Sequence, residues 1–375
     1  MFPRTMILIV IILLFLGYSI LIFYYWLGWT SAPEFFPKPG TSATNISIVI
    51  PARNEDQNIG SLLNALQQQT YSERLVEVIV IDDHSTDNTV KIVREFPTVT
   101  LLELKDDSLN SYKKKAIEEA ITAATGNLII TTDADCMPPP GWLEALVSFQ
   151  HQKNSAFIAA PVVFQNNSSI LELFQALDFL VLQGITGASV HRKIHSMCNG
   201  ANLAYQKTAF FEVNGFENID TIASGDDMLL MHKIWKRFPV RVHYLKSKQA
   251  IVTTQPMKTW KEFFNQRIRW ASKTRFYDDM RIFWVLLLVY LFNFSFLVLL
   301  VAGLWLHRLW LYFVLLLIAK TIIEFPFVYS VAKFFKKQSL LKYFFFFQPL
   351  HIGYTIIAGW LGQFGKYEWK GRRVK

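Results

Sequence analysis

The stretch ISIVIPARNE, residues 46–55, decides the fold. It begins with a short apolar run rich in β-branched side chains and closed by Pro51, which predicts a buried strand followed by a loop. Continuous apolar strands of this kind are typical of parallel sheets that are covered on both faces. We therefore expect an α/β domain in which Arg53, Asn54 and Glu55 follow the carboxyl end of this strand.

Helical and strand-like segments alternate after this stretch. In chain order the predicted segments are a helix at 58–69, a strand at 76–81, a helix at 89–96, a strand at 99–104, a helix at 113–124 and a strand at 128–132. This alternation predicts a mostly parallel sheet with helices on both faces. Ligands bind such sheets at the carboxyl ends of the strands. Two of these strands end in acidic residues, Asp82-Asp83 and Asp133-Ala134-Asp135.

Asp133 and Asp135 stand one residue apart after a buried strand. Two such carboxylates can converge on a hard divalent cation, Mg or Mn, and leave coordination sites for phosphate oxygens. We therefore predict a metal and diphosphate site there, with a solvated acidic loop as the alternative.

The loop after Asp83 has two interpretations. Ser85 and Asp87 can cap the helix that begins near Thr89, while an upstream carboxylate accepts the ring N–H of a uracil-type base and Arg53 helps to hold the nucleoside. The alternative is a loop whose polar groups are satisfied by its own Asx turns.

Three consecutive lysines, Lys113, Lys114 and Lys115, open a predicted helix. We expect one ammonium group to approach the diphosphate and assign this role to Lys114, although the pattern does not distinguish among the three. A solvated basic face is the alternative, and it is favoured for at least two of them.

Asp226 and Asp227 follow Gly225 and precede a Leu- and Met-rich helical stretch. One carboxylate is expected to cap that helix while the other faces the site. We predict Asp227 as a general base, a group that takes a proton from a reacting hydroxyl.

Residues 258–281 are rich in aromatic and basic side chains and run directly into a long apolar segment. Such a stretch is typical of an amphipathic helix in a bilayer interface. Within it Gln266, Arg269 and Trp270 can combine a phosphate-binding fork with an aromatic platform. The alternative is an interfacial helix without a part in chemistry.

Long apolar runs lie at both ends of the 375-residue chain. Residues 6–29 predict a transmembrane anchor, since the run is too long for a cleaved signal peptide. Residues 282–306 and 309–332 predict a transmembrane hairpin. Residues 343–364 lie between the basic stretch that starts at Lys333 and the basic C-terminal tail, so a re-entrant or interfacial hairpin competes with a true span.

Lys320 and Glu324 lie four residues apart inside the second C-terminal span. They can pair on one helix face, and intramembrane charges often line a polar path. We hypothesise that they border a passage for an acceptor; a structural ion pair is the alternative.

The formal net charge is +9, and much of the excess lies beside the apolar runs. There Lys and Arg meet anionic lipid head groups, so we expect a membrane partner and no nucleic acid. The two cysteines, Cys136 and Cys198, show no metal-site spacing. These features predict an integral membrane protein of the cell or inner membrane with its soluble domain in the reducing cytoplasm.

Together these segments resemble the family 2 inverting glycosyltransferases of GT-A fold, especially the membrane-embedded cellulose, chitin, hyaluronan and poly-N-acetylglucosamine synthases and the ceramide glucosyltransferases. The resemblance spans about residues 46–270. The stretches that carry it are IVIPARNE at 48–55, IDDHSTD at 81–87, DAD at 133–135, GDD at 225–227 and QRIRW at 266–270.

The resemblance implies a nucleotide-sugar donor, most often a UDP-sugar, a divalent cation, and a lipid or glycan acceptor at the membrane. With the predictions made from the strand ends, the resemblance implies four sets of site residues. Those for the nucleotide are Pro51, Arg53, Glu55, Asp83, Lys114 and Asp133, and those for the metal are Asp133 and Asp135. Those for the acceptor and diphosphate are Asn199, Gly200, Asp226, Gln266, Arg269 and Trp270, and Asp227 is the base. The predicted organisation is an anchor at 1–31, a linker at 32–45, a GT-A catalytic domain at 46–257, an interfacial helix region at 258–281 and a membrane region at 282–375.

Two stretches depart from the family pattern. Tyr112-Lys113-Lys114-Lys115 replaces a Gly-Lys-small-small segment, and Asp226-Asp227 replaces the usual Glu-Asp, as in chitin and hyaluronan synthases. Two other functions remain open at this point: a membrane scaffold that keeps the fold with little or no activity, and a metal-dependent nucleotidyltransferase.

Overall fold

The structure is a computed structural model that describes residues 2–37, 40, 43–106, 111–165, 169–195, 197–222, 224–273, 279–364, 367–369 and 372–374. The side chains of the basic C-terminal tail lie outside this description. The chain divides into two compact units. Unit 1 comprises Met1–Ser31, Asn166–His195 and Pro256–Tyr367, and unit 2 comprises Ala32–Gln165, Ser196–Gln255 and Glu368–Lys375.

The described residues form α-helices and β-strands that we number in chain order. The helices are α1 (Phe2–Ser31), α2 (Ile59–Gln67), α3 (Thr89–Arg94), α4 (Tyr112–Ala123), α5 (Trp142–Lys153), α6 (Ile170–His191), α7 (Lys207–Glu212), α8 (Met228–Arg237), α9 (Trp260–Ser272), α10 (Met280–Ala302), α11 (Arg308–Phe334) and α12 (Phe344–Phe364). The strands are β1 (Ile46–Ala52), β2 (Val76–Asp82), β3 (Val99–Glu103), β4 (Leu128–Thr131), β5 (Phe157–Ala159), β6 (Val162–Phe164), β7 (Leu203–Gln206), β8 (Val242–Tyr244), β9 (Val252–Thr254), β10 (Tyr367–Trp369) and β11 (Arg372–Val374).

Unit 2 is built on a mixed sheet. Within the described residues this sheet has seven strands in the order β3-β2-β1-β4-β7-β5-β8. Strands β1 to β4 are mutually parallel, whereas β7 runs antiparallel to both of its neighbours. A small parallel pair, β6 with β9, forms beside it. The predicted mostly parallel α/β sheet is confirmed, and the predicted elements from 46 to 132 begin and end within two residues of the observed ones.

The register of β1 explains why the polar loops meet. Ala52 pairs with Asp82 of β2, and Val49 pairs with Thr131 of β4. The loops that start at Arg53, after Asp82 and after Thr131 therefore leave the sheet at one edge. Side chains on both faces of β1 are removed from water, with Ile48, Val49 and Ile50 fully buried, as a sheet covered on both faces requires.

Unit 1 consists mainly of long apolar helices. Among the described residues, five helices are long and apolar enough to cross a membrane. Four of them, α1, α10, α11 and α12, fall on predicted apolar runs. Helix α12 runs unbroken from Phe344 to Phe364 with Pro349 inside it. This continuous helix does not fit the re-entrant hairpin considered for 343–364.

The fifth helix, α6, is not evident from the sequence. Polar residues such as Gln175, Asp178 and Gln183 interrupt its apolar pattern, and 78% of its most apolar window is buried inside the protein. A Cβ added to Gly184 would lie 2.4 Å from a methyl carbon of Val331 on α11, so this helix crossing needs glycine. Residues 166–195, which lie inside the predicted domain at 46–257, belong to unit 1.

Lys320 and Glu324 belong to a closed polar network inside unit 1. The Lys320 ammonium group lies 2.6 Å from Glu324 Oε1 and 2.6 Å from Gln348 Oε1. Gln348 Nε2 donates to the other oxygen of Glu324, and the Tyr18 hydroxyl also donates to this carboxylate. Because these hydrogen bonds join α1, α11 and α12 to one another, the geometry favours the structural alternative over the predicted acceptor passage.

Candidate active site

The loops after β1 and β2 are cross-linked by hydrogen bonds. Asn54, whose φ of 51° is left-handed, accepts from the backbone N–H of Thr86 at 2.8 Å, and its own N–H donates to Ser85 Oγ at 2.9 Å. The Glu55 N–H donates to Thr89 Oγ1 at 2.7 Å. Asn tolerates this backbone conformation better than most residues. The two loops therefore form one fixed rim at the edge of the sheet.

Asp83 lies buried at this rim between two nitrogen-bearing side chains. Its Oδ1 atom is 3.0 Å from His84 Nδ1 and 3.6 Å from Arg53 Nη1, which also donates to the Asp83 carbonyl at 2.7 Å. Glu55 stands on the adjoining loop, where its carboxylate accepts from Asn58 Nδ2 at 2.8 Å. The structure thus brings together Arg53, Glu55 and Asp83, which are predicted to bind the nucleoside. Pro51 precedes them in β1.

Asp87 contributes to the start of α3, as expected. Its Oδ1 atom accepts from the backbone N–H of Thr89 at 2.9 Å and from Thr89 Oγ1 at 2.6 Å. Partial burial acts against the charged form, but these hydrogen bonds outweigh it and lower the pKa of Asp87. Asp87 therefore holds the rim in place as an anion.

Lys113 joins two carboxylates that are far apart along the chain. Its Nζ atom lies 2.7 Å from Asp133 Oδ1 and 3.1 Å from Asp226 Oδ2. Burial disfavours the charged ammonium group, yet Asp133, Asp226 and Asp227 outweigh this effect and raise the pKa of Lys113. Lys113 is therefore a permanent cation at the centre of an acidic cluster.

Asp227 and Gly200 complete this cluster. Asp227 caps α8 through a 2.7 Å hydrogen bond from the Met228 N–H, and its other oxygen accepts from the Gly200 N–H at 3.2 Å. A Cβ added to Gly200 would stand 3.4 Å from Asp226 Oδ2 and 3.5 Å from Lys113 Nζ. Asn199 accepts from the Ala201 N–H at 2.9 Å, which fixes this turn. We name Lys113, Asp133, Gly200, Asp226 and Asp227 the acidic cluster.

Helix capping distinguishes the two adjacent aspartates. The sequence predicts that one caps the helix and the other faces the site, with Asp227 as the base. The structure makes Asp227 the cap of α8 and directs Asp226 to Lys113. Both side chains stay within the acidic cluster, so capping alone does not decide which carboxylate is the base.

Lys114, the predicted diphosphate lysine, is directed elsewhere. Its ammonium group donates to the backbone carbonyls of Ile219, Ile222 and Ser224, and the side chain is 1% exposed. Adjacent residues of a helix point about 100° apart, so α4 cannot present both lysines to the same group. The structure instead brings Lys113 to the carboxylates.

The metal prediction rests on Asp133 and Asp135. Both carboxylates act on the buried thiol of Cys136: burial raises the pKa of Cys136 most, and Asp135 and then Asp133 raise it further. Asp135 also accepts from Thr254 Oγ1 at 3.3 Å. No group of three or more His, Cys, Asp or Glu side chains in the described residues forms a closed metal site. Two half-exposed carboxylates fit a cation that takes its remaining ligands from phosphate and water.

Gln266, Arg269 and Trp270 all lie on α9 in unit 1. A capping box of Thr259 and Glu262 starts this helix. The guanidinium carbon of Arg267 lies 4.4 Å from the centroid of the Trp270 ring. Arg267 in turn forms a buried 2.8 Å ion pair with Asp178 of α6.

Comparison with known proteins finds a family match for the segment that carries most of the acidic cluster. Residues 47–211 match the family model of glycosyl transferase family 2. Residues 47–211 therefore resemble a family 2 glycosyltransferase domain. The segment includes the rim, Lys113, Asp133, Asp135 and Gly200, whereas Asp226 and Asp227 follow it along the chain.

Two curated relatives and one solved structure extend this finding. The chain is 25% identical over 239 residues to the probable glycosyltransferase YdaM of Bacillus subtilis (strain 168), which covers 62% of the chain and 55% of YdaM. It is 25% identical over 232 residues to the poly-beta-1,6-N-acetyl-D-glucosamine synthase of Staphylococcus epidermidis, which covers 60% of the chain and 54% of the synthase. The matches thus span about half the length of these relatives. The chain is also similar to a solved structure, that of the mannosyltransferase PcManGT from Pyrobaculum calidifontis in complex with GDP-Man and Mn2+. The match covers 96% of this chain and 98% of the PcManGT chain, with 19% sequence identity and a TM-score of 0.59.

These findings confirm the resemblance to family 2 and the GT-A-like fold. The structure also shows two residues that the sequence does not single out for their contacts. Thr132 Oγ1 donates to the Ala201 carbonyl at 2.9 Å, and the fully buried Asn202 donates to the carbonyls of Pro161 and Ala250, each at 2.8 Å. These bonds hold the loop of Gly200 beside β4. The signal in the sequence that could have found them is a polar residue within an apolar stretch, because a polar group buried there must form hydrogen bonds.

Proposed function

We propose that this chain is an inverting glycosyltransferase that moves a sugar from a nucleotide-sugar donor, a UDP-sugar, to an acceptor at the membrane, a lipid or a growing polysaccharide. One observation carries the proposal. Lys113, Asp133, Gly200 and the pair Asp226-Asp227 come from four separate segments, and short contacts join Lys113 to Asp133 and Asp226 and Gly200 to Asp227. A cluster of this kind is charged, partly exposed and located at the sheet edge where ligands bind.

The donor is held from two sides in this proposal. Arg53, Glu55 and Asp83 contact the nucleoside, and the fixed rim keeps them in place before the donor arrives. Asp133 and Asp135 hold the divalent cation, Mg or Mn, which when bound supplies positive charge to the diphosphate leaving group. The ammonium group of Lys113 supplies further positive charge beside Asp133. Preorganised charges of this kind stabilise the charge that develops in the transition state.

The transfer step needs a base on the acceptor side. The acceptor hydroxyl oxygen attacks the anomeric carbon, the bond from that carbon to the diphosphate oxygen breaks, and the hydroxyl proton passes to a carboxylate. We assign this carboxylate to Asp227, whose orientation is fixed by the N–H groups of Met228 and Gly200. Asp226 holds Lys113 in place, and the missing side chain of Gly200 leaves space at the acceptor.

Membrane attachment supports an acceptor of the bilayer. Helices α1, α10, α11 and α12 have the length and hydropathy of membrane spans. Three lysines, Lys333, Lys336 and Lys337, lie close together at and just after the end of α11. Clustered lysines favour a cytoplasmic position for that end of the helix. We therefore propose that the family 2 domain faces the cytoplasm, where nucleotide sugars are made. Gln266, Arg269 and Trp270 keep their predicted acceptor-side role as part of this proposal.

Product analysis tests the activity. Purified full-length protein is incubated with a panel of UDP-sugars and GDP-sugars, Mg²⁺ or Mn²⁺, and a membrane lipid extract, and the products are identified by mass. We expect release of a nucleoside diphosphate and a glycosylated lipid or glycan of inverted anomeric configuration by NMR. Release of pyrophosphate would indicate a nucleotidyltransferase, and binding of donor without any product would indicate a scaffold.

Isosteric variants test the assigned roles. Asp133→Asn, Asp135→Asn and Asp227→Asn should each lower the transfer rate by about 10²-fold or more, because each removes a charge used in the reaction. Glu103→Gln is the matched control, since this carboxylate ends β3 but is exposed and paired with Arg94 at 2.9 Å. Full activity of Asp227→Asn together with loss in Asp226→Asn would transfer the role of base to Asp226.

A further inference from the structure

Two adjacent lysines at the start of α4 have different partners. Lys113 contacts Asp133 and Asp226, whereas Lys114 turns to the loop that precedes Asp226. One short helix segment therefore touches both the acidic cluster and the chain that leads into it.

The ammonium group of Lys114 donates to backbone carbonyls of the loop that precedes Asp226. It donates to Ile219 O at 2.6 Å, to Ile222 O at 2.6 Å and to Ser224 O at 3.0 Å. A lysine ammonium group has three N–H donors, so these carbonyls use its whole donor capacity. Burial of an ammonium group is unfavourable unless such partners compensate it. The side chain is nevertheless only 1% exposed, which indicates that the cage is built for it.

The caged loop leads directly to the acidic cluster. Ser224 is followed by Gly225, whose φ of 85° turns the chain in a way that L side chains rarely adopt, and then by Asp226 and Asp227. Three carbonyls that point to one ammonium group hold the backbone at Ile219, Ile222 and Ser224. The position of Asp226 relative to Lys113 therefore depends on the cage.

We infer that Lys114 is a positioning residue, which holds the loop of Ile219, Ile222 and Ser224 so that Asp226 and Asp227 meet Lys113 and Asp133. This inference rests on the proposed function and deepens it. Lys114 does not touch the donor, because its N–H groups are all used by the carbonyls. Its effect passes through the two aspartates that follow the loop.

Kinetics separate a positioning role from donor binding. Lys114→Ala should lower kcat by about 10- to 100-fold, since a displacement of about 1 Å can cost that much, while KM for the donor stays within about threefold. Lys115→Ala is the matched control, because Lys115 is partly exposed and its nearest acidic partner, Glu119, lies 3.8 Å away. A raised KM with an unchanged kcat in Lys114→Ala would overturn the inference in favour of donor contact.

Chemical rescue tests the cage itself. Alanine at 114 removes three carbons and the ammonium nitrogen, and propylammonium supplies the same atoms. Propylammonium should restore part of kcat in Lys114→Ala and leave Lys115→Ala unchanged, whereas tetramethylammonium, which has no N–H donor, should restore nothing. Equal effects of the two cations would contradict the cage.

Hydrogen exchange gives a readout that needs no activity. Backbone amides of 217–227 should exchange faster in Lys114→Ala than in the wild type, measured by mass spectrometry without donor. If Lys114→Ala does not fold, Lys114→Gln and Lys114→Met replace it, and Gln, which keeps two N–H donors, should be the more active and the better protected. Unchanged exchange in folded variants would refute the inference. A wild-type protein that is inactive with every donor would instead refute the proposed function, while the exchange result would still decide the loop.

Discussion

Replacing Asp178 by leucine should leave a buried cation without its partner. Arg267 Nη2 lies 2.8 Å from Asp178 Oδ2, and the two side chains are 3% and 4% exposed. The guanidinium group also stacks near the rings of Phe263, Trp270 and Tyr354. In Asp178→Leu the positive charge would stay in this apolar surrounding.

The geometry sets the size of the effect. Two unit charges 2.8 Å apart attract by about 6 kcal/mol at an effective dielectric constant of about 20. Part of this attraction is offset because the variant no longer buries a carboxylate, and breaking a buried pair costs about 3–5 kcal/mol. We expect Asp178→Leu to lose that amount. The Tyr354 hydroxyl donates to Asp178 Oδ1 at 2.6 Å, and the loss of this acceptor lowers the free energy of unfolding by about 1 kcal/mol more.

A double variant separates the charge from the packing. Asp178→Leu combined with Arg267→Met removes both charges and keeps apolar volume, and such replacements are often close to neutral. The double variant should therefore recover most of the stability and retain only the cost at Tyr354. Adding Tyr354→Phe to the double variant removes the unpaired hydroxyl and measures that last contribution.

Unfolding in mixed micelles provides the assay. The free energy of unfolding is measured in mild detergent with increasing sodium dodecyl sulfate, and the intrinsic fluorescence of the 11 tryptophans is the signal. Asp178→Leu should be the least stable of the three variants. A single variant that is as stable as the double variant would show that the buried pair contributes nothing, and the reasoning would be refuted.

Three further predictions concern charged side chains. Lys113→Met should lower the transfer rate by at least about tenfold, because Asp133 and Asp226 lose their shared cation; an unchanged rate of nucleoside diphosphate release would contradict this. Burial lowers the pKa of Lys246 to about 8, so the unfolded chain binds more protons than the folded one between about pH 8 and 10.5. The melting temperature of the wild type should therefore rise relative to that of Lys246→Met as pH increases through this window, and a constant difference would exclude the effect. Lys320→Leu alone should destabilise the protein by about 3–5 kcal/mol. Adding Glu324→Leu should recover part of that stability and keep transfer, since only the hydrogen bonds of Gln348 and Tyr18 to this pair stay lost; a folded double variant without transfer would restore the passage hypothesis.

Local patterns are sufficient for the elements and for the edge of the sheet that holds the site. The apolar run of β1 and its neighbours predicts a parallel sheet, because strands covered on both faces have no polar side. Parallel strands bring their carboxyl ends to one edge, so the chain order of strands and helices is enough to place the loops of Asp83 and Asp133 together. The long apolar runs predict α1, α10 and α11 in the same way, from length and hydropathy alone.

Local patterns could not decide between neighbours or find distant partners. Lys113 and Lys114 are identical residues, and only the fold shows that one meets Asp133 while the other meets carbonyls more than 100 positions away. The polar residues of α6 make it look unlike a buried apolar helix. The sequence does not show that Asp178 is paired, because its partner Arg267 lies on α9. Periodicity reports which face of an element is buried. Which group lies opposite that face depends on contacts between remote segments, and these exist only once the tertiary structure has formed.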